Sequence, residues 1–204
     1  MEVSTVYLRR VRDDALVAAE LFDDIAEDHL AMWERSWRPA MRATLADFRR
    51  RQVPHDHWPQ DLHWNWRDKA VAARGLLGQQ SFSIVGEARL QGMMQLNLTK
   101  TARLPQQRGK ELVYIDFLAA APWNRAEIVR EREFAGVGKV LMRVAVEVSV
   151  AQEFKGRIGL HSLPQADAFY ERCGLTSLGP DPRYEGRLTY FEMTQAQAAR
   201  FCAR

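Results

Sequence analysis

The chain has 204 residues, 47% of them hydrophobic and 27% charged, with a net charge of +3. That balance is ordinary for a soluble globular chain of one domain, or one domain with an added helical lobe, and so small a charge does not by itself call for a nucleic-acid partner. Two cysteines, Cys173 and Cys202, exclude a disulfide framework and a cysteine-based metal cluster. No apolar run of about 18 residues marks a membrane span and no apolar signal core opens the chain, so the cytoplasm is the expected compartment.

Thr5 to Val11 reads as a first strand, with Val6 and Leu8 alternating against polar neighbours. From Asp13 the pattern predicts a long helix, whose face carries Leu21, Phe22, Ile25, His29, Met32, Trp33 and Trp37. Pro39 suits the first turn of a second helix through Phe48, closed by Arg49, Arg50 and Arg51. Residues 53–68 are unusual: His55, His57 and His63 are gathered with Trp58, Trp64 and Trp66. No complete metal-ligand set is visible there, so no metal is expected. Two readings of the tryptophans stand open, a cap over a core and a substrate wall in which Trp58, His63, Trp64 and Trp66 shape a pocket for an amine or aromatic acceptor.

A short helix is expected over 68–77, then a hairpin of 81–87 and 91–99 with its turn near 88–92. Residues 112–120 form an almost wholly apolar strand, as expected of one covered on both faces, interrupted only by Asp116. A polar loop over 124–133 leads to Phe134-Ala135-Gly136-Val137-Gly138-Lys139, and a helix is expected from Val140. Glycines ahead of a helix let successive backbone N–H groups converge at the positive end of its dipole, where a phosphate can sit. A strand over 157–162, a helix from Pro164 closed by Gly174, a strand over 187–193 and a terminal helix over 195–202 complete the chain.

This order, with three local motifs, resembles the GCN5-related N-acetyltransferase (GNAT) superfamily. Ile115 to Pro122 looks like that family's central strand ending in a bulge and a proline. Phe134 to Leu141 is similar to its acyl-CoA pyrophosphate loop, Gln/Arg-x-x-Gly-x-Gly/Ala, and Ala166 to Leu175 resembles the helix that ends in Tyr-Glu-x-x-Gly-Phe. The likeness covers about 80–193, the expected acyl-CoA-binding core, within a single domain spanning 1–204. Residues 12–78 match no specific motif and read as a helical region on the acceptor side. There are two departures: Glu133 stands at the Gln/Arg position of the loop, and Leu163 stands seven residues before the helix tyrosine, where asparagine is frequent.

The resemblance implies an α/β fold with a mixed, mostly antiparallel sheet flanked by helices. It also implies transfer of an acyl group, most simply acetyl, from acyl-CoA directly to a primary amine, with no metal. Backbone donors of Ala135, Gly136, Val137, Gly138 and Lys139 would hold the pyrophosphate, with Phe134 beside them in the cofactor site. The pantetheine arm would pair along Phe117, Leu118, Ala119 and Ala120, where an N–H would meet the thioester oxygen as charge develops. Asp116 would serve as base and Tyr170 as the acid that protonates the departing thiolate. Two rivals are kept: a non-catalytic acyl-CoA-binding module, and an acyltransferase acting on aminoacyl-tRNA or a protein terminus with Arg49 to Arg51 and Trp58 to Trp66 as its docking face. A homodimer is left open.

Overall fold

The structure, a computed structural model, describes residues 2–203. Its first two elements are strands, β1 (Val3–Arg10) and β2 (Leu16–Phe22), paired antiparallel with Val6 opposite Ala19. The helix expected from Asp13 does not form there. Arg10 instead binds both oxygens of Asp13 through Nε, at 3.0 and 3.2 Å, and Asp14 adopts a left-handed φ of 57°. The two aspartates thus make a turn where helix-capping chemistry was expected, and residues 16–22 follow a period of two.

One helical run follows in three parts: α1 (Glu27–Met32), a wide π segment (Trp33–Trp37) and α2 (Arg38–Arg50). Pro39 therefore does not open a separate helix. It has no N–H to offer, and the ladder ahead of it has already widened: the Arg38 N–H reaches back five residues to the Trp33 carbonyl. Ser36 Oγ also donates to the Met32 carbonyl, a bond that bends helices. Helix α3 (Trp66–Ala73) starts at Asn65, whose side chain accepts from the Arg67 N–H. It lies about two residues ahead of the span expected from the sequence.

Strands β3 (Gln79–Gly86) and β4 (Arg89–Thr101) are joined by a two-residue turn, Glu87-Ala88, both with positive φ (49° and 56°). The turn thus precedes the expected position, and Gly92 lies within the strand. Then come β5 (Glu111–Ala120), the two-residue β6 (Phe134–Ala135), α4 (Val137–Ala151), β7 (Ile158–Ser162), α5 (Asp167–Cys173), β8 (Thr176–Pro180), β9 (Thr189–Met193) and α6 (Gln195–Cys202). Helix α4 begins three residues earlier than its apolar spacing suggested. Strands β6 and β8 were not legible: one is too short for any periodicity, and the other ends in Gly179-Pro180.

The strands form one open, mostly antiparallel nine-stranded sheet in the order β6-β1-β2-β3-β4-β5-β7-β9-β8, in which β5 and β7 run parallel. By contacts the chain divides into two units. The first holds the chain up to Gly75, Ser81–Met93 and Ala119–Gly138; the second holds Leu76–Gln80, Met94–Leu118 and the chain from Lys139.

The second unit is organised around a fully buried carboxylate. Glu192 on β9 is 0% exposed and accepts from Arg103 N (2.7 Å), Leu104 N (3.2 Å), Gln107 Nε2 (2.6 Å) and Tyr190 Oη (3.1 Å). It thereby ties the irregular segment after β4 to the sheet. Glu192→Ala leaves four donors without an acceptor, which is expected to cost about 3 kcal/mol or more. Urea denaturation would read this as a fall in midpoint without a change in slope, and Glu192→Gln, which keeps one acceptor oxygen, should cost markedly less.

Candidate active site

In the first unit, Gln91 on β4 is a hub. Its Nε2 donates to the Gly86 carbonyl (2.9 Å), and its Oε1 accepts from Trp123 Nε1 (3.0 Å) and Asn124 Nδ2 (2.9 Å). Asn124 Oδ1 then accepts the Phe134 N–H at 2.9 Å. β6 pairs antiparallel with β1, Phe134 opposite Arg10 and Ala135 opposite Arg9. The segment entering α4 is thus anchored on two sides before it reaches Gly136.

Gly136 has a φ of +89°, and a Cβ placed on it would meet nothing within 4 Å. It is glycine for its backbone angle, and the space before it is open. Val137 begins α4, so the N–H groups of Val137, Gly138 and Lys139 belong to the first turn and have no acceptor within the helix. Fixed donors, the positive helix end and open space together suit an anion. Glu133 does not spoil this. Its carboxylate is bound through both oxygens by Arg89 Nη1, at 3.0 and 2.8 Å, and the Arg89 guanidinium lies 3.8 Å over the Trp123 ring.

The first unit also contains a cavity of about 270 Å³, lined by Trp33 and Trp37 of the wide helical turn, by His63, Trp64 and Trp66, and by Ala120 at the end of β5. Three of the four expected acceptor-side residues therefore meet in one place. Trp58 is not among the lining residues: its Nε1 donates to the Val53 carbonyl at 2.9 Å, and Arg49 covers its ring at 5.6 Å. From the sequence Trp33 and Trp37 fall on one face of a helix, and their four-residue spacing is the signal that brings them together.

In the second unit, Asp116 on β5 is half-buried and accepts from Gln79 Nε2 at 3.2 Å. It is less enclosed than an isolated carboxylate in an apolar run suggests, because β5 is only partly buried over residues 116–118. Tyr114 and Asp116 share one face of the strand. Tyr114 Oη bonds His161 Nδ1, and His161 Nε2 faces Asp181 Oδ2 at 2.8 Å, which makes a Tyr–His–Asp chain that sequence reasoning did not assemble. Arg103 Nη1 also reaches Asp181 Oδ2, at 2.6 Å. Tyr170 on α5 is 7% exposed, packed 5.0 Å from Phe169 and 5.9 Å from Phe191 by ring centroids. Burial pushes its phenol well above the usual range, so it holds its proton at neutral pH. Leu163 contributes only backbone, its carbonyl accepting Ala166 N–H (2.8 Å) and Ser162 Oγ–H (2.9 Å).

Desolvation lowers the affinity of His161 for a proton against the pull of Asp181, and lowers that of His29, whose ring packs 4.6 Å from Phe22. An unfolded histidine titrates near 6.5. Below that pH the unfolded chain binds more protons than the folded one, so stability should fall as pH drops from about 6.5 through the lowered folded values. Urea midpoints at pH 7.5 and 5.5 test the sign. The lower pH should give the lower midpoint, and His161→Gln should shrink the gap. An equal or higher midpoint at pH 5.5 refutes the assignment.

No protein-family model matches the chain, and no curated protein matches it at a significant level. Solved structures do. PaiA N-acetyltransferase from Thermoplasma acidophilum, in complex with coenzyme A, aligns with a TM-score of 0.52 at 14% identity over 86% of this chain and 98% of that one. FeeM, an N-acyl amino acid synthase from uncultured soil microbes, gives 0.54 at 11% identity over 87% and 90%. The GNAT domain of S. lividans PAT gives 0.51 at 14% identity over 94% and 96%. The chain has the GNAT fold. Within it, residues 134–139, for which the sequence suggests a pyrophosphate loop, lead into α4, β5 stands where the central strand was expected, and the helical run from Glu27 to Arg50 with α3 forms the helical part of the N-terminal region. Among the described residues no group of three or more His, Cys, Asp or Glu could hold a metal ion, and no helix is long and apolar enough to cross a membrane.

Proposed function

We propose that this chain is an acyl-CoA-dependent N-acyltransferase, using acetyl-CoA and a primary amine. The observation that carries this reading is Gly136: a left-handed glycine with open space before it, at the head of α4, in a chain with the GNAT fold. The backbone donors of Ala135 to Lys139 bind the pyrophosphate. The pantetheine arm pairs along residues 117–120, with Ala119 and Ala120 presenting donors to the thioester oxygen. The acceptor occupies the tryptophan-lined cavity that Ala120 helps to form. Asp116 takes the amine proton, directly or through water, and Tyr170 supplies a proton to the thiolate. The macromolecular alternative draws less support, because Arg50 and Arg51 are both bonded to Asp47.

Calorimetry with acetyl-CoA, free CoA and NADP tests the reading. Saturable binding selective for the CoA compounds is the expected result, followed by thiol release in the presence of an amine. No binding by folded protein overturns it. Binding without thiol release across a broad amine panel would make the chain a non-catalytic acyl-CoA module.

A further inference from the structure

The charge of the cavity goes further than its shape. Its lining includes Arg38, Arg42 and Arg125 against a single carboxylate, Asp61. Asp61 is committed to Arg125, whose Nη1 contacts its two oxygens at 3.0 and 2.7 Å, and Glu127 takes the Arg125 Nε at 2.7 Å. Within the lining Arg125 and Asp61 cancel, and Glu127, outside it, adds a second carboxylate to the same guanidinium. Arg38 and Arg42 are different: among the described residues neither forms an ion pair. Glu34, on the same helical run, feels Arg38 but is bonded to Arg67 at 2.8 Å. Arg38 lies 5.5 Å over the Trp33 ring, which orients its guanidinium without neutralising it. Two exposed guanidiniums without an ion-pair partner among the described residues, one helical turn apart, therefore stand at the rim of a tryptophan-lined cavity.

Size narrows the occupant. A volume of about 270 Å³, open to solvent on one side, has room for one small molecule. The wall charge opposes a polyamine or any other wholly cationic acceptor, and it favours a carboxylate, which a guanidinium binds with charge-assisted, often paired hydrogen bonds. We propose that the acceptor is a free amino acid with an apolar or aromatic side chain. Its carboxylate meets Arg38 and Arg42, its side chain lies among Trp33, Trp37, Trp64 and Trp66, and its α-amine is the nucleophile. This rests on the acyl-transfer reading above. The neutral amine nitrogen attacks the thioester carbon, the new N–C bond forms as the C–S bond breaks, and the proton lost by nitrogen is balanced by one gained by the CoA sulfur.

The test is thiol release from acetyl-CoA by the full chain, with L-tryptophan, L-phenylalanine and L-leucine beside their amides, the matching decarboxylated amines, and spermidine. The free amino acids should exceed their amides in kcat/KM by at least about tenfold, carried mainly by KM. Arg42→Gln and Arg38→Gln should collapse that preference. Arg35→Gln, an exposed position on the same helical run outside the cavity lining, should leave it intact. Equal or better turnover of amides, amines or spermidine overturns the proposal, as does a preference that survives both arginine changes. Acetyl-CoA binding with no amino acid acetylated overturns the acceptor class and spares the acyl-CoA reading. If acetyl-CoA does not bind, that reading fails instead. Calorimetry with L-tryptophan against L-tryptophan amide then reads the cavity directly, and the absence of a carboxylate preference would overturn the class too.

Discussion

Gly136→Asp is expected to lower acetyl-CoA affinity by at least about a hundredfold, roughly 2.7 kcal/mol, while the protein stays folded. The variant has room, since a Cβ at this position meets nothing within 4 Å, and it carries backbone strain at a φ of +89°, less for aspartate than for most side chains. Its carboxylate then sits at the N-cap of α4. There it accepts the N–H groups that would otherwise face the pyrophosphate, and it places a negative charge against another. Gly136→Ala separates the effects, since it carries the backbone strain without the competing acceptor and should lose far less affinity. Calorimetry measures the loss, and thermal denaturation verifies the fold. Undiminished affinity in the aspartate variant would remove the phosphate-cradle assignment.

Tyr170→Phe should leave acetyl-CoA affinity unchanged and lower kcat by about a hundredfold, the lower end of what a positioned general acid contributes. The ring contacts with Phe169 and Phe191 survive the change, so stability should move by less than about 1 kcal/mol. The logic is one of matched protonation. A buried phenol stays protonated across neutral pH, so it keeps a hydrogen bond to offer the sulfur as the bond to carbon breaks. Being a weaker acid than the thiol, whose reference is near 8.5, it stabilises the thiolate mainly through that bond. Single-turnover kinetics would show whether acyl transfer limits the rate. An unchanged single-turnover rate in the phenylalanine variant would rule out the acid role.

The sequence carried the second half of the fold well and the first half poorly, for a physical reason. From Glu111 onward the apolar runs are long, and glycines or prolines punctuate them where the backbone turns, so β5, α5 and α6 stand close to their expected places. Between Asp13 and Pro39 two local signals pointed the wrong way. Paired aspartates suit a helix start as well as a turn, and here Arg10 on Asp13 and Arg9 on Asp14, reaching across that turn, hold the hairpin. Pro39 suits a helix start as well as a widened helix interior, and the decision rests on backbone bonding that no side-chain pattern displays. The candidate site divides likewise. The glycine loop was legible because its chemistry lies in consecutive residues. The cavity arginines and the Tyr114–His161–Asp181 chain were not, because each draws on segments far apart in the chain and means something only when they meet.

The wide turn at Trp33–Trp37 also acts as a phase adjustment. In a straight α-helix, side chains four residues apart advance about 40° past a full turn at each step, so Trp33, Trp37, Met41 and Leu45 would spiral off a common wall. All four line the cavity. A turn holding one more residue winds less per residue and takes up part of that drift. The insertion therefore sets which side chains of α2 face inward. Deleting a single residue from 33–37 would restore ordinary helical bonding yet swing Arg38, Met41, Arg42 and Leu45 by about 100°. The helix would be locally more regular and the cavity would lose one of its walls, so regular helical geometry and a formed cavity are in direct opposition at this turn.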